Sequence, residues 1–188
     1  MNLTSIVLIV SFLWVASETA LARARRSGQK ASQLDKSSLR LLWISISASV
    51  SIGVVFGVQR VGYFGGGSFV YPIAGLALIV LGLLVRWIAI LTLKRHFTVD
   101  VAIAADQSIV RDGIYRFVRH PAYAGSLLSF LGLGLFFGNY FSLLIIFLPI
   151  CAAFVHRIRI EEKALTAHFG EAYTDYCAST KRLIPGIF

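Results

Sequence analysis

Charge is scarce in this chain: only 14% of its 188 residues are Asp, Glu, Lys or Arg, and nine are acidic against eighteen basic. With 57% hydrophobic residues and a mean hydropathy of +0.76, a disordered chain is excluded and an ordinary soluble domain is a poor description. Cysteine is nearly missing. Cys151 and Cys177 are the only two, which excludes a disulfide scaffold and leaves no dithiol or zinc-ligand spacing; both are expected to be reduced and structural. Walker, Rossmann and zinc signatures are also missing, no internal repeat is apparent, and no metal is expected. What the chain does have is long apolar runs, so its solvent is expected to be a membrane.

A membrane-crossing helix needs about 20 apolar residues, and such runs stand at 3–21, 39–58, 69–93, 121–137 and 140–156. Gly65, Gly66 and Gly67 interrupt the connection 59–68, and only Gly138 and Asn139 separate the last two runs, so both connections should be tight hairpins. The pattern predicts an all-α integral membrane protein with five transmembrane helices. It divides into an N-terminal two-helix membrane hairpin with a basic loop, 1–68, and a core, 69–188.

The net charge of +9 would suggest nucleic acid in a soluble chain. Its placement argues otherwise. Segments 22–40, 94–119 and 157–188 hold sixteen of the eighteen basic residues, which is the alternation that five spans and the positive-inside rule require. The N-terminus is therefore expected outside and the C-terminus in the cytoplasm, with membrane lipids rather than nucleic acid as neighbours. Ala20-Leu21-Ala22 looks like a signal-peptidase site, but no positive charge precedes the first run and Arg23, Arg25 and Arg26 follow it. That order fits a retained helix.

The outer connections are too short to build a site, so chemistry is expected on the inner face, in 110–125 and 157–176. Pro121 suits the first position of a helix, and it drives His120 out of the helical region. The fourth span then opens with free N–H groups at the interface, a place for an anionic group, beside Arg119, His120 and Tyr123. Ordinary interfacial roles explain the same residues: Arg and His snorkel, Tyr joins the aromatic belt, and Gly125 packs helices. Arg157 and Glu161 lie one turn apart on a helix, as do Ile158 and Glu162, and a salt bridge from Arg157 or Arg159 would satisfy the carboxylates. Leu165, Phe169, Tyr173 and Tyr176 recur at helical spacing, a pattern expected for packing. Arg86, roughly 10 Å inside the third span, is the one charge expected alone at depth, and an intramembrane Arg is a functional candidate by default.

These residues together resemble the isoprenylcysteine carboxyl methyltransferase family of integral-membrane enzymes. The resemblance runs from about Arg86 to Phe188. It rests on Arg86-Trp87-Ile88-Ala89, Arg95-His96-Phe97-Thr98, Gly113-Ile114-Tyr115, Arg119-His120-Pro121-Ala122-Tyr123-Ala124-Gly125, Glu161-Glu162, Phe169-Gly170-Glu171-Ala172-Tyr173 and Arg182-Leu183-Ile184-Pro185. It implies S-adenosylmethionine as cofactor, held in a cytoplasmic pocket made by the segment before the fourth span and by the C-terminal tail. Gln107, Ser108, Ile109, Val110 and Tyr115 would line it, His120, Pro121, Ala122 and Tyr123 would close it, and Glu161 with its neighbour Glu162 would meet polar parts of the cofactor. Arg157 resembles the Arg that meets the substrate, and Arg157, Glu161 and Arg86 are the implied catalytic set.

Methyl transfer from a sulfonium is an in-line displacement, so such an enzyme has to align donor and acceptor and exclude water. A carboxylate acceptor needs a cation to hold it and no base; an amine would need Glu161, Glu162 or His120 to take a proton. The expected partner is a lipophilic or prenylated substrate arriving from the bilayer. Alternatives are a phospholipid or other amine N-methyltransferase, a sterol-type reductase using NADPH, whose tail carries a similar His-Pro-x-Tyr pattern, and a non-catalytic transporter or anchor. A transporter should carry polar groups at the midplane of several spans. Here they crowd at one face.

Overall fold

The computed structural model describes residues 2–24, 33–64, 66–94, 97 and 108–186. Its elements are α1 (Leu3–Ala24), α2 (Gln33–Gln59), α3 (Val70–Leu93), a single 3-10 turn (Gly113–Arg116), α4 (Pro121–Phe136), α5 (Tyr140–Phe169) and α6 (Glu171–Ser179). Four of them, α1, α2, α3 and α5, are long and apolar enough to cross a membrane. The protein is thus an all-helical chain with four candidate membrane spans. The fourth expected span, α4, is a helix of 16 residues, about 24 Å long against a hydrocarbon core of about 30 Å. The helix of the fifth run continues past His156 to Phe169, as the helical pairing of Arg157 with Glu161 requires, giving one helix of 30 residues, about 45 Å.

Helix boundaries follow from local chemistry. Pro121 occupies the first turn of α4, and His120 before it has φ −123° and ψ 55°, outside the helical region as a residue before proline should be. Asn139 caps α5 by accepting the Ser142 amide at 2.9 Å. The same fully buried side chain donates to the carbonyl of Val61 and to that of Phe56, tying the α4–α5 turn to the end of α2. Gly138 supplies the positive φ of 56° that this turn needs.

Lipid offers no hydrophobic drive for helices to associate, so close backbone packing has to supply it. The α3–α4 seam is built from small residues. A Cβ placed on Gly82 would lie 2.4 Å from the Gly125 carbonyl oxygen, and one on Gly125 would lie 2.6 Å from the Arg86 amide nitrogen. Across the molecule the packing order is α1, α3, α4, α5, α2. The two N-terminal helices therefore take α3 and α5 as their main partners and face one another across a cavity.

Candidate active site

A knot of ion pairs joins the start of α4 to the tail. Glu162 accepts from Arg119 Nε at 3.0 Å and from Arg182 Nε at 2.8 Å, and His120 Nε2 lies 3.3 Å from it. Arg119 also donates to the carbonyls of Cys177 and Thr180. The Arg119 and His120 amides donate to the Lys181 and Arg182 carbonyls at 2.8 and 3.0 Å. The tail is thereby stitched alongside the segment that leads into α4. Tyr176 adds a further tie, donating its hydroxyl to the Tyr115 carbonyl at 2.6 Å.

Above the knot lies a cavity of about 530 Å³, within the range of small-molecule sites. It has two ends of different character. At the tail end the walls are Ser108, Ile109, Val110 and Tyr115 before α4, His120 at its start, and Leu165, Phe169, Tyr173 and Tyr176 from α5 and α6. At the other end it runs between α1 and α2, past Trp14, Leu42, Ile46, Val50, Phe130 and Leu133. The junction is a short polar chain. The Tyr123 hydroxyl donates to Glu161 Oε2 at 2.7 Å and accepts from Arg157 Nε at 3.3 Å, while Arg157 Nη1 donates to Ser38 Oγ on α2 at 3.0 Å. Arg157 is only 2% exposed; a guanidinium this deep is held in one orientation by these bonds.

The tyrosines at the tail end are hydrogen-bond donors. Burial pushes the Tyr115 and Tyr173 phenols well above their ordinary range, and moves Tyr176 up to about 12, so all three keep their protons at neutral pH. Burial raises the Cys177 thiol likewise, which keeps it an unreactive thiol. Tyr173 is 2% exposed and its hydroxyl has no nitrogen or oxygen partner, alone in this among buried side-chain polar atoms of the described residues, with the Cys177 thiol beside it. A buried hydroxyl left unpaired costs about 1–3 kcal/mol.

Of the expected site residues, Arg86, Ser108, Ile109, Val110, Tyr115, His120, Ala122, Tyr123, Arg157 and Glu161 all line this one cavity. Gln107 lies outside the described residues. Pro121 and Glu162 are not among the lining residues. Pro121 starts the helix, and Glu162 is engaged by two arginines and His120. Arg86 does not stand alone at depth, contrary to expectation: Glu18 of α1 grips it through two hydrogen bonds, Nε to Oε1 at 2.5 Å and Nη2 to Oε2 at 2.6 Å. Hydropathy scanning hid Glu18, because one carboxylate barely lowers the mean of an apolar run. Phe169, Tyr173 and Tyr176, expected as packing, are cavity walls; helical spacing alone does not distinguish the two roles. No group of three or more His, Cys, Asp or Glu suited to a metal occurs among the described residues.

A family profile described as phospholipid methyltransferase matches residues 70–172, more than half of the chain and the whole of the α3–α5 framework. The chain belongs to that family. Among curated relatives it is 35% identical over 118 residues to a protein-S-isoprenylcysteine O-methyltransferase of Schizosaccharomyces pombe, covering 62% of this chain and 50% of that protein. It is 32% identical to protein-S-isoprenylcysteine O-methyltransferase B of Arabidopsis thaliana, covering 59% and 57%. The chain thus spans about half the length of the curated relatives it matches. A solved structure of a eukaryotic intramembrane Ras methyltransferase, an isoprenylcysteine carboxyl methyltransferase, superposes with a TM-score of 0.65 at 26% identity, covering 75% of this chain and 52% of that one. The resemblance read from the Arg-His-Pro-x-Tyr-x-Gly and Glu-Glu motifs is borne out.

Proposed function

We propose that the protein is an integral-membrane methyltransferase that moves a methyl group from S-adenosylmethionine to a lipophilic acceptor, the carboxylate of a prenylcysteine-like substrate. The observation that carries this reading is the single two-ended cavity with Arg157, Tyr123 and Glu161 at its junction. A polar cofactor fits the end lined by Tyr115, Tyr173 and Tyr176, all protonated, with Ser108 to Val110, His120 and Ala122 around it. An isoprenoid tail fits the slot between α1 and α2, whose walls are mainly apolar, with Ser11, Ser47, Ser51 and the Glu18–Arg86 pair as the polar exceptions. S-adenosylmethionine would supply a methyl group activated on a sulfonium sulfur.

The chain's own residues would do the rest. Arg157 holds the acceptor carboxylate, which is already ionised at neutral pH and needs no base. Tyr123, anchored between Arg157 and Glu161, fixes the distance between the acceptor-binding cation and the acidic wall of the cofactor end. Leu165, Phe169 and the tyrosines exclude water from the junction. Arg86 serves as support rather than as a direct contact, since Glu18 and the Ala122 carbonyl engage three of its N–H donors and fix its orientation.

In the membrane we propose five crossings, α4 completing its span with flanking residues, the N-terminus outside, and the tail and cofactor end in the cytoplasm. We keep the division at 68/69, the core 69–188 carrying the chemistry and the N-terminal helices completing its lipid-side walls. The name of the family profile favours one second reading, methyl transfer to a phospholipid amine. Glu161 would then serve as the base, because Glu162 is committed to its arginines.

Labelled S-adenosylmethionine offered with prenylcysteine analogues, amines and membrane lipids tests both readings. Base-labile methyl ester on the prenylcysteine supports the first. Label in the phospholipid headgroup alone supports the second, and binding of NADPH with no binding of S-adenosylmethionine defeats both.

A further inference from the structure

Glu18 is the sole carboxylate of α1, and it lies outside the residues matched by the family profile. It stands on one stripe of α1 with Val7, Ser11 and Trp14, spaced by four, three and four residues along the helix. Val7 and Trp14 are the buried apolar residues of that stripe, Trp14 against the Phe130 ring at 4.7 Å, whereas Leu8, Phe12, Leu13 and Val15 on the remaining surface are exposed. In lipid those apolar contacts alone fix position weakly, since hydrocarbon competes for the same surfaces. A two-point carboxylate–guanidinium pair does fix position and orientation, and here it is largely shielded, with side chains 11% and 18% exposed. Arg86, in turn, cannot yield: its backbone is locked against Gly125, and Nη1 donates to the Ala122 carbonyl at 3.3 Å in the first turn of α4.

The consequence reaches the cavity. Its lipid-side slot is bounded by α1 on one flank and α2 on the other, and α2 is fixed independently, by the bond from Ser142 Oγ to the Gly53 carbonyl at 2.8 Å and by Asn139. The width of the slot is therefore set by where α1 stands. We propose that Glu18 is a positioning residue that sets acceptor-tail selectivity: by clamping Arg86 it holds α1 at a fixed separation from α2 and so defines the bulk of chain the slot admits. This rests on the proposed function for the nature of the acceptor, but not for the position of α1.

Two readouts test it in protein reconstituted into lipid nanodiscs. The first needs no activity: spin labels at Leu13→Cys and Ile44→Cys, with Cys151 and Cys177 replaced by alanine, report the α1–α2 separation. Glu18→Gln is expected to give a longer and broader distance distribution, and Glu18→Arg with Arg86→Glu to bring it back toward the original. An unchanged distribution in Glu18→Gln overturns the proposal. The second compares S-isoprenyl cysteines with short and long tails. Glu18→Gln is expected to leave cofactor affinity within about twofold while discrimination between tails, read as the ratio of kcat/KM values, falls by about tenfold. Equal loss for both tails, together with lost cofactor affinity and melting temperature, overturns it in favour of a purely structural pair. A parent protein that methylates neither acceptor defeats the proposed function, and the distance measurement still decides the role of Glu18.

Discussion

At the scale of single residues, the junction of the cavity separates two tasks that adjacency on α5 would otherwise blur. Arg157 is one turn before Glu161, but its bonds run to Tyr123 and to Ser38 of α2, toward the lipid-side slot. Arg157→Ala is expected to leave S-adenosylmethionine affinity nearly intact while turnover falls about a hundredfold, the loss expected for misaligned reactants. Arg157→Lys should recover little, because a point charge does not reproduce a two-pronged donor. Calorimetry and turnover on the same variants decide this, and parallel loss of binding and turnover would refute it. Tyr173 makes a prediction about stability. Since its hydroxyl is buried with no nitrogen or oxygen partner, Tyr173→Phe should raise the melting temperature of the ligand-free protein. A fall in melting temperature without cofactor would mean that the hydroxyl is already satisfied. The place of Arg157 was legible in its spacing from Glu161 and in the family resemblance; that of Tyr173 was not, because Tyr173 and Tyr176 recur as packing residues do, and only the fold reveals that their stripe faces a cavity.

Elements were legible where one physical signal dominates. The small connection at Gly138–Asn139 and the start of α4 at Pro121 followed from backbone chemistry, and the packing role of Gly125 from helix association in lipid. Two features were less clear. Hydropathy marks the end of the apolar run near His156, whereas only helical spacing shows that α5 goes on, and its end at Phe169 has no apolar signal. Likewise the pair Glu161-Glu162 suggested two ligand groups, whereas the turn of about 100° between helix neighbours puts Glu161 on the cavity wall and Glu162 in the knot with Arg119, His120 and Arg182. The knot belongs to the element scale: it is what fastens the tail to the entrance of α4. Glu162→Gln leaves Arg119 with a weakened partner, and breaking a shielded ion pair from one side costs about 3–5 kcal/mol. It should therefore lower thermal stability and cofactor affinity together and expose 171–186 to protease, with turnover recovering when cofactor is saturating. Protection of the tail equal to that of the parent protein would show that the main-chain bridge at Val118 and Lys181 suffices by itself.

For the whole molecule, the charge alternation predicts that single cysteines introduced in 22–40 or 94–119 react with impermeant maleimide only after the membrane is opened; strong labelling from outside would invert the topology. The sequence carried this large-scale pattern because basic loops are counted, not packed. It did not carry the lateral order α1, α3, α4, α5, α2, since neighbours along the chain need not be neighbours in the bundle. That order also governs how the protein comes into being. Glu18 leaves the ribosome 68 residues before Arg86, a delay of roughly 3–14 s at ordinary elongation rates of about 5–20 residues per second. During that interval α1 sits in lipid with an acidic side chain and no arginine, and α2 likewise waits for α5. The cavity can close only after the last helices arrive: a chain stalled before α3 leaves the Glu18 carboxylate of α1 without Arg86, and one stalled before α5 leaves α2 without its main partner, and quality control can read either as unfinished.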